Sequence, residues 1–598
     1  MQTADQPSTR PVCRRDSFYR AVQYQAFLLI VLLAISWISA AQVAQAVQSN
    51  EQESDEQQNT LKGTVINAIT HAPISRALVY STDNRFAMLT DGEGHFEFTL
   101  PSTGQNFTNP IFENGQFRRQ WNVVRAGGSF SFMARKPGFV DDPNGGATQA
   151  TSENEITIPL LPEGLIKGRV VSTEADLPPG ISVQLLARRV EDGVLKWTHA
   201  GGARANSSGE FRFADLMPGT YKVVTNESMD NDPAITIPGG QQYGFPPVYY
   251  PGVADFASAG TIQLTAGQTV QVDIPLTRQP YYPVRIPVAN GEPNGNMNII
   301  VSVQGHRGPG YSLGYNAQHQ RIEGLLPQGN YLVEAATFGP TSSYGAVNLA
   351  VAGAPAEGSS LALIPNSSIT LHVTEQFTAT DWNNHMSWNV GGRSFEVHGP
   401  RTYLQINAES ADDFRQQGSS LRPPTGANDD SLVLENLAPG RYWLRLHSSR
   451  GYVAAATIGG VDLLHEPLVV SPGSSTPVEV IMRDDSAELD GTVAGIASPT
   501  TADSSSSTSV AQLGWVYCIP LSDSPGQFQQ VWVSSDGKFT SAQMPPGTYR
   551  MLAFASRQPN LPYRDPEAMK LYETKGQVVH LTPGQKTSVQ LQLIPSIE

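Results

Sequence analysis

One stretch of the sequence decides the fold: Asn206-Ser-Ser-Gly-Glu-Phe-Arg-Phe-Ala-Asp-Leu-Met-Pro-Gly-Thr-Tyr-Lys-Val-Val224. Polar and apolar residues alternate on both sides of Pro218-Gly219, and this period of two is typical of half-buried strands. Proline fixes its own φ and glycine accepts a positive φ, so the dipeptide predicts a turn. The stretch therefore predicts a strand, a turn and a second strand.

The same unit recurs along the chain. Related turns lie at Gln328-Gly-Asn-Tyr331, Pro439-Gly-Arg-Tyr442 and Pro546-Gly-Thr-Tyr549. Successive tyrosines are about 110 residues apart, and so constant an interval indicates tandem domains. Each tyrosine falls on the apolar side of its strand. The pattern predicts four anchors of the domain cores: Tyr221, Tyr331, Tyr442 and Tyr549.

Two further markers have the same phase. Glycine occupies the third position of three opening strands, Leu61–Val65, Ile166–Val170 and Leu489–Val493. A glycine turn precedes an alternating closing strand at Leu264–Leu276, Val470–Met482 and Leu581–Leu593. The chain has 44 prolines and 54 glycines and no long segment with helical period. These features predict an all-β fold, a tandem array of about five transthyretin-like antiparallel sandwiches.

The first residues of the chain read as an export signal. Several arginines precede an apolar run from Phe27 to Ala41, and Ala44-Gln-Ala46 offers a signal peptidase site,. The run is shorter than a membrane-spanning helix requires, so no span is expected in the mature chain unless the signal is retained as an anchor. The predicted segments are a signal peptide at 1–46, an acidic disordered spacer at 47–60 and sandwiches at 61–162, 163–280, 281–365, 366–484 and 485–598.

The residues also resemble a known family. The segments Leu61–Val65, Thr90-Asp-Gly-Glu-Gly-His-Phe-Glu-Phe98 and Ala134-Arg-Lys-Pro-Gly-Phe139 resemble the carboxypeptidase regulatory-like domain. That domain is a transthyretin-like sandwich of the carbohydrate-binding-like fold group. The Leu-x-Pro-Gly-x-Tyr units are similar to it and to collagen-adhesin B-type repeats. The segments Pro247–Gly252, Gly459–Leu464 and Pro562–Glu567 look like those of large multi-repeat secreted proteins of soil bacteria. The resemblance covers about residues 60–598 and implies a fold rather than an activity, because the matching residues are turns and core strands,.

Catalytic and metal-binding motifs are missing from the sequence. It contains no His-Glu-x-x-His, Cys-x-x-Cys, Gly-x-Ser-x-Gly or phosphate-binding loop, and its histidines are scattered singly,. Of the two cysteines, Cys13 lies in the predicted signal, which leaves Cys518 without a disulfide partner,. We therefore expect no enzyme, no catalytic residues, no metal and no cofactor.

Aromatic residues are the candidate ligand contacts, because sugar rings stack on exposed aromatic side chains. Four rings cluster in a proline-rich loop of the second domain: Tyr243, Phe245, Tyr249 and Tyr250. In the fourth domain, Trp382 and Trp388 flank a polar loop, and strand alternation turns Trp443 outward. The alternative is that these rings pack under loops or between neighbouring domains.

These features predict an exported, non-enzymatic binding or spacer protein with polysaccharide as the expected ligand. The net charge of −15 argues against nucleic acid as a partner,. Expected partners are polysaccharide or a cell-envelope protein, and the expected location is secreted, periplasmic or at the cell surface. One alternative is a purely structural stalk or protein-interaction module. A remoter one is an accessory subunit or unrecognised hydrolase. The oligomeric state is not determined by the sequence.

Overall fold

The structure is a computed structural model that describes most of residues 59–594. The gaps within that range are 101–108, 114–115, 121–129, 142–147, 151–154, 173–179, 231–239, 292–295, 304–309, 340–341, 379–384, 391–392, 415–417, 427, 496–513, 522–523, 525, 535, 556 and 559. The predicted signal peptide and nearly all of the predicted spacer lie outside the described residues. The first strand begins at Asn59, within the last two residues assigned to that spacer.

The chain forms two compact units. The larger comprises Leu61–Phe98 and Gly127–Glu598 and carries five successive pairs of β-sheets, which we call sandwiches 1 to 5. The smaller comprises Met1–Thr60 and Thr99–Ala126, and its described part includes a hairpin of β5 (Asn109–Glu113) and β6 (Gln116–Gln120). The all-β tandem array predicted from the sequence is confirmed.

Sandwich 1 has the sheets β4-β1-β10-β8 and β3-β2-β7-β9. Phe98 of β4 stacks on Phe132 of β7 with ring centroids 5.1 Å apart, so an aromatic pair joins the two sheets,. The strands of this region are β1 (Asn59–Asn67), β2 (Leu78–Ser81), β3 (Ala87–Leu89), β4 (His95–Leu100), β5 (Asn109–Glu113), β6 (Gln116–Gln120), β7 (Phe130–Arg135), β8 (Phe139–Asp141), β9 (Thr148–Ala150) and β10 (Ile156–Pro162).

Sandwich 2 has the sheets β14-β11-β19 and β13-β12-β15-β18. Both contribute fully buried side chains to one core, such as Ile166 from the first sheet and Leu185 from the second. Its strands are β11 (Gly164–Ser172), β12 (Ser182–Glu191), β13 (Val194–Arg204), β14 (Glu210–Leu216), β15 (Gly219–Thr225), β16 (Ser228–Met229), β17 (Gln242–Phe245), β18 (Ile262–Leu264) and β19 (Thr269–Leu276).

Sandwich 3 shares a sheet with the end of sandwich 2. The order β16-β17-β20-β23-β22 places two short strands from the sandwich 2 loop at the edge of this sheet, and β21-β24-β25-β28 faces it. Its strands are β20 (Gln279–Ala289), β21 (Met297–Val303), β22 (Leu313–Asn316), β23 (Arg321–Pro327), β24 (Gly329–Thr337), β25 (Ser343–Val351), β26 (Ala356–Glu357), β27 (Leu361–Ala362) and β28 (Ile364–Pro365).

Sandwich 4 has the sheets β34-β29-β39-β36-β37 and β33-β32-β35-β38, with β30 and β31 as a separate hairpin. A 3-10 turn at Gly399–Thr402 precedes β32. Its strands are β29 (Ser367–Gln376), β30 (His385–Val390), β31 (Arg393–His398), β32 (Leu404–Ser410), β33 (Gly418–Ser420), β34 (Leu432–Leu437), β35 (Gly440–Ser448), β36 (Tyr452–Ile458), β37 (Val461–Asp462), β38 (Leu468–Val470) and β39 (Val478–Arg483).

Sandwich 5 has the sheets β43-β40-β46 and β42-β41-β44-β45. A short helix α1 (Pro566–Met569) and a 3-10 turn at Lys570–Tyr572 lie between β44 and β45. Cys518 on β41 is buried in the core, and burial raises the pKa of its thiol to about 12. The strands are β40 (Ala487–Ala494), β41 (Gly514–Pro520), β42 (Gln529–Val533), β43 (Lys538–Met544), β44 (Gly547–Phe554), β45 (Gln577–Leu581) and β46 (Lys586–Gln592).

The opening strand of sandwiches 1, 2, 4 and 5 pairs in parallel with the closing strand, and in sandwiches 1, 2 and 5 a glycine lies where the strands approach closely. A Cβ on Gly168 would lie 1.7 Å from the Val272 carbonyl oxygen and 2.7 Å from the Phe211 ring. Gly491 repeats the arrangement in sandwich 5. In sandwich 4, Leu371 stands at the position of Gly168 and its partner Leu432 at the position of Phe211. Two leucines therefore replace the glycine and phenylalanine pair.

The four repeat tyrosines are buried and make the same hydrogen bond. Each hydroxyl donates to the carbonyl four residues earlier, at distances of 2.7 Å for Tyr221, Tyr442 and Tyr549 and 2.9 Å for Tyr331. The exposed fraction is 4% or less for each ring. A buried hydroxyl needs such a partner, and the turn supplies it.

The positive φ expected at Gly219 is instead found at Asp215, where φ is 55°, and at Asn436 in the corresponding turn, where φ is 60°. Both residues sit where the register between the opening strand and its antiparallel neighbour shifts. A bulge with a left-handed residue therefore bends the strand just before the turn, and Asp and Asn tolerate that conformation. The sequence predicted the position of the turn correctly. It assigned the positive φ to the wrong residue.

No helix in the described part of the chain is long and apolar enough to cross a membrane.

Candidate binding cleft and aromatic face

The proline-rich loop of sandwich 2 packs inward. Phe245 is 1% exposed and Tyr249 is 4% exposed, so neither ring presents a face to solvent. Tyr250 is half-buried against the sandwich core, and the guanidinium of Arg278 lies 4.0 Å from the centre of the Tyr243 ring. These rings lie under the loop or within the sheet that joins sandwiches 2 and 3. This burial fits the alternative that they pack inside the protein and do not contact a ligand.

The outer side of sandwich 2 holds a buried lysine between aromatic rings. Lys222 is 5% exposed, and its ammonium lies 4.2 Å from the Phe256 ring centre and 5.1 Å from that of Trp197. Burial lowers the pKa of Lys222, and the carboxylate of Asp255 opposes this. Phe414 of sandwich 4 completes the cluster, with its ring 5.2 Å from Phe256. Sandwich 4 thus covers this face of sandwich 2.

Only one of the two tryptophans expected beside the polar loop of sandwich 4 belongs to the described part of the chain. Trp382 lies outside the described residues. Trp388 is half-buried on β30, directly opposite Phe395 on β31.

Trp443 lies on the outward side of β35, as strand alternation predicts, but it is half-buried. The guanidinium of Arg564, from sandwich 5, lies 4.4 Å from its ring centre. A cation over an indole face is a favourable contact, and here it occupies the face that a sugar would use. Trp443 therefore contributes to the boundary between sandwiches 4 and 5.

Asp192 is the point at which sandwiches 2, 4 and 5 meet. It lies with Gly193 in the two-residue turn between β12 and β13, where both residues have positive φ, as such hairpins require,. Its carboxylate lies 3.0 Å from Arg445 and 3.3 Å from Arg564, and it accepts a hydrogen bond from the Tyr563 hydroxyl. The side chain of Asp192 is only 9% exposed. One carboxylate thus binds side chains from two other sandwiches.

Packing around Asp192 is equally specific. A Cβ on Gly193 would lie 2.6 Å from the Tyr563 ring, and that ring stacks on Phe528 with centroids 3.6 Å apart. Burial raises the pKa of the Tyr563 hydroxyl, and the charge of Asp192 adds to the effect. Tyr563 consequently stays protonated and donates to Asp192.

A cleft of about 860 Å³ opens beside this junction. Aromatic, arginine and amide side chains line it, including Trp443, Phe528, Arg550, Arg557, Gln527 and Gln530. His465 also lines it, with Nδ1 2.8 Å from an Asp462 carboxylate oxygen. Such a His–Asp pair could serve a nucleophile, but none of the described residues that line the cleft is a serine, threonine or cysteine,.

An exposed aromatic face adjoins this cleft on sandwich 5. Trp532 is 51% exposed on β42, directly opposite the half-buried Trp515 on β41. The guanidinium of Arg557 lies 5.8 Å from the Trp515 ring centre. Opposed residues on adjacent antiparallel strands direct their side chains to the same face of the sheet, so the two tryptophans share one face,. We call Trp515, Trp532 and Arg557 the aromatic face.

Sequence reasoning missed these two tryptophans, although the signal was present. In Gln529-Gln530-Val531-Trp532-Val533, the valines alternate inward and Trp532 points outward by the argument applied to Trp443,. Within the described ranges, no group of three histidine, cysteine or acidic side chains is arranged to hold a metal.

Comparison with known proteins gives distant structural similarities. No protein-family model matches the chain, and no curated protein matches it. A minor pilin of Streptococcus agalactiae is similar at 16% identity over 36% of this chain and 94% of that chain, with a TM-score of 0.17. The TIE protein of Bacillus anthracis is similar at 10% identity over 72% of this chain and 73% of that chain, with a TM-score of 0.13.

The major pilin subunit of Bacillus cereus is similar at 9% identity over 54% of this chain and 99% of that chain, with a TM-score of 0.12. Scores this low carry no argument about function. The fold described above rests on the sheets and their registers alone.

Proposed function

We propose that the protein is an exported, non-enzymatic binding protein that holds polysaccharide on the aromatic face of sandwich 5. The observation that carries the proposal is the pair of opposed indoles, of which Trp532 is 51% exposed. Burying so large an apolar side chain is favourable, and a sugar ring provides the flat C–H surface that an indole accepts. The cleft beside the face supplies glutamine and arginine donors for hydroxyl groups.

Contacts among sandwiches 2 to 5 fix the position of the aromatic face. The shared sheet of sandwiches 2 and 3 and the Asp192 junction of sandwiches 2, 4 and 5 hold the face in a defined place. A preorganised surface loses little conformational entropy when it binds. This rigidity favours a single extended site over several independent weak ones.

The test is retention on insoluble neutral polysaccharides, namely cellulose, xylan and chitin. We expect the wild-type chain to be retained by at least one and the Trp532→Ala variant to bind it about tenfold or more weakly, because tryptophan side chains often supply about 2 kcal/mol or more. Val578→Ala is the matched control. Val578 is 52% exposed on the same sheet, so its removal changes apolar exposure without removing an indole.

A protein-interaction module is the second candidate, and the edge strands favour it. Val469 on β38 and Val578 on β45 are 63% and 52% exposed, and each strand is the last in its sheet. An open edge with apolar side chains can pair with a strand of a partner protein. If the wild-type chain is retained by no polysaccharide, the carbohydrate proposal fails and this candidate stands.

A further inference from the structure

The aromatic face and the cleft form one continuous surface. Arg557 belongs to both, since it lies near the Trp515 ring and lines the cleft. Gln530 also lines the cleft, and it lies on β42 two residues before Trp532, so both side chains are on the same side of the strand,. A polymer lying on the two indoles would therefore continue into the cleft.

The four arginines of the cleft differ in their electrostatic partners. Arg445 and Arg564 are paired with Asp192, and Arg445 is also 3.1 Å from Glu409. Their charges are thus compensated within the protein. By contrast, none of the described carboxylates forms an ion pair with Arg550 or Arg557.

Backbone contacts orient one of these two uncompensated arginines. The Nη1 atom of Arg550 donates to the carbonyl oxygens of Tyr572, at 3.1 Å, and of Glu573. These bonds fix the guanidinium without cancelling its positive charge. Arg557 is exposed and free to adapt to a ligand.

Besides Asp192, two described acidic side chains line the cleft, Glu466 and Glu573. Both residues are exposed to solvent, whereas Arg550 is half-buried. Water and salt screen exposed charges most strongly, so the half-buried guanidinium keeps more of its field. The uncompensated charge in the interior of the cleft is therefore positive, although the whole chain carries −15.

We propose that this cleft binds the carboxylate groups of an acidic polysaccharide, with Arg550 and Arg557 as the residues that recognise them. The inference rests on the proposed function and specifies the class of polymer. A planar guanidinium pairs with a carboxylate through two parallel hydrogen bonds, which gives both affinity and orientation. The indoles would stack on the sugar rings, and the arginines would bind the carboxylate groups.

The experiment compares two polymers with the same backbone, polygalacturonate and fully methyl-esterified pectin, by affinity electrophoresis. We expect the wild-type chain to bind polygalacturonate about tenfold or more tightly, with affinity that falls as salt is raised. Arg557→Gln should weaken binding to polygalacturonate several-fold more than binding to the ester and should reduce the salt dependence, with Arg550 supplying what preference remains. Arg285→Gln is the charge-matched control, because Arg285 is an exposed residue of sandwich 3 outside the cleft lining.

The outcomes separate this inference from the proposal on which it rests. If both polymers bind equally and Arg557→Gln has no effect, the proposed specificity for acidic polymers is wrong. The proposed function still stands in that case if retention on a polysaccharide depends on Trp532. Dextran sulfate is the third probe. If dextran sulfate binds more tightly than polygalacturonate, and Arg557→Gln weakens binding to dextran sulfate only, the recognised group is a sulfate ester. The carboxylate assignment is then wrong.

Discussion

The carboxylate of Asp192, in a hairpin turn of sandwich 2, lies 3.0 Å from the guanidinium of Arg445 in sandwich 4. The same carboxylate is 3.3 Å from Arg564 of sandwich 5. Domains that are far apart in sequence are thus joined by a buried charge, and the array is not a simple succession of neighbours. Interdomain contacts of this kind decide which outward side chains remain exposed.

Replacing Asp192 with asparagine should loosen this junction. The change removes the negative charge beside Arg564, whose side chain is 17% exposed, and Arg445, whose side chain is 47% exposed. Breaking a fully buried pair costs about 3 to 5 kcal/mol, and the solvent around Arg445 makes the loss here smaller. We expect a lower unfolding midpoint and faster proteolysis at the junction of sandwiches 2, 4 and 5. The control is Glu210→Gln, which breaks an exposed pair with Arg169 in the same sandwich and should change stability little,. Equal effects of the two substitutions would contradict the role of Asp192.

Alanine at Gly168 should destabilise sandwich 2. The added Cβ would lie 1.7 Å from the Val272 carbonyl oxygen, so the parallel pair of opening and closing strands must separate. Overpacking of this kind costs about 1 to 3 kcal/mol. Gly201→Ala is the matched control in the same sandwich, because a Cβ added there would meet no atom within 4 Å and the φ of Gly201 is not positive. Chemical denaturation of both variants measures the difference, and a stable Gly168→Ala variant would refute the packing argument.

Phenylalanine at Tyr221 should reveal the value of the hydroxyl bond that recurs in the sandwiches. The substitution removes the donor to the Met217 carbonyl in a part-buried hydrogen bond, and the net contribution of such a bond is about 0.5 to 1.5 kcal/mol,. Tyr250→Phe is the control, since no described residue hydrogen-bonds its hydroxyl. We expect a lower thermal midpoint for Tyr221→Phe than for Tyr250→Phe. Identical midpoints would show that the ring alone anchors the core.

Glu227 should make stability depend on pH where sandwiches 2 and 3 meet. Burial raises the pKa of Glu227 to about 7, and a hydrogen bond from the Ser312 amide, at 3.2 Å, opposes this rise. The folded state therefore favours the protonated form. Its contribution to stability is fully present below the ordinary glutamate pKa and is lost as pH rises through about 7,.

The Glu227→Gln variant tests this sign. Each unit of pKa difference corresponds to about 1.4 kcal/mol, so the variant should be more stable than the wild type above neutral pH by up to roughly 3 kcal/mol. Its unfolding midpoint should change less between acidic and neutral pH. Glu357→Gln, at a side chain that is 80% exposed, should follow the wild type. A Glu227→Gln variant with unchanged pH dependence would show that this carboxyl does not govern the transition.

The sequence predicted the repeated architecture because the signals for it are local. Alternation, turn residues and the spacing of Tyr221 and its counterparts depend only on neighbouring residues. The opening glycines were also visible as a pattern. Their cause, the close approach of a carbonyl from the closing strand about 100 residues later, needed the register of the sheets,.

The candidate site shows the limit of the same reasoning. Strand alternation turns both Trp443 and Trp532 away from their own cores, so the sequence by itself determined which face of each sheet they occupy. Only the tertiary structure decided that Arg564 covers Trp443 while Trp532 stays exposed. The physical reason is that the covering arginine, like the Asp192 junction, belongs to another sandwich, and packing between distant segments leaves no period in the sequence.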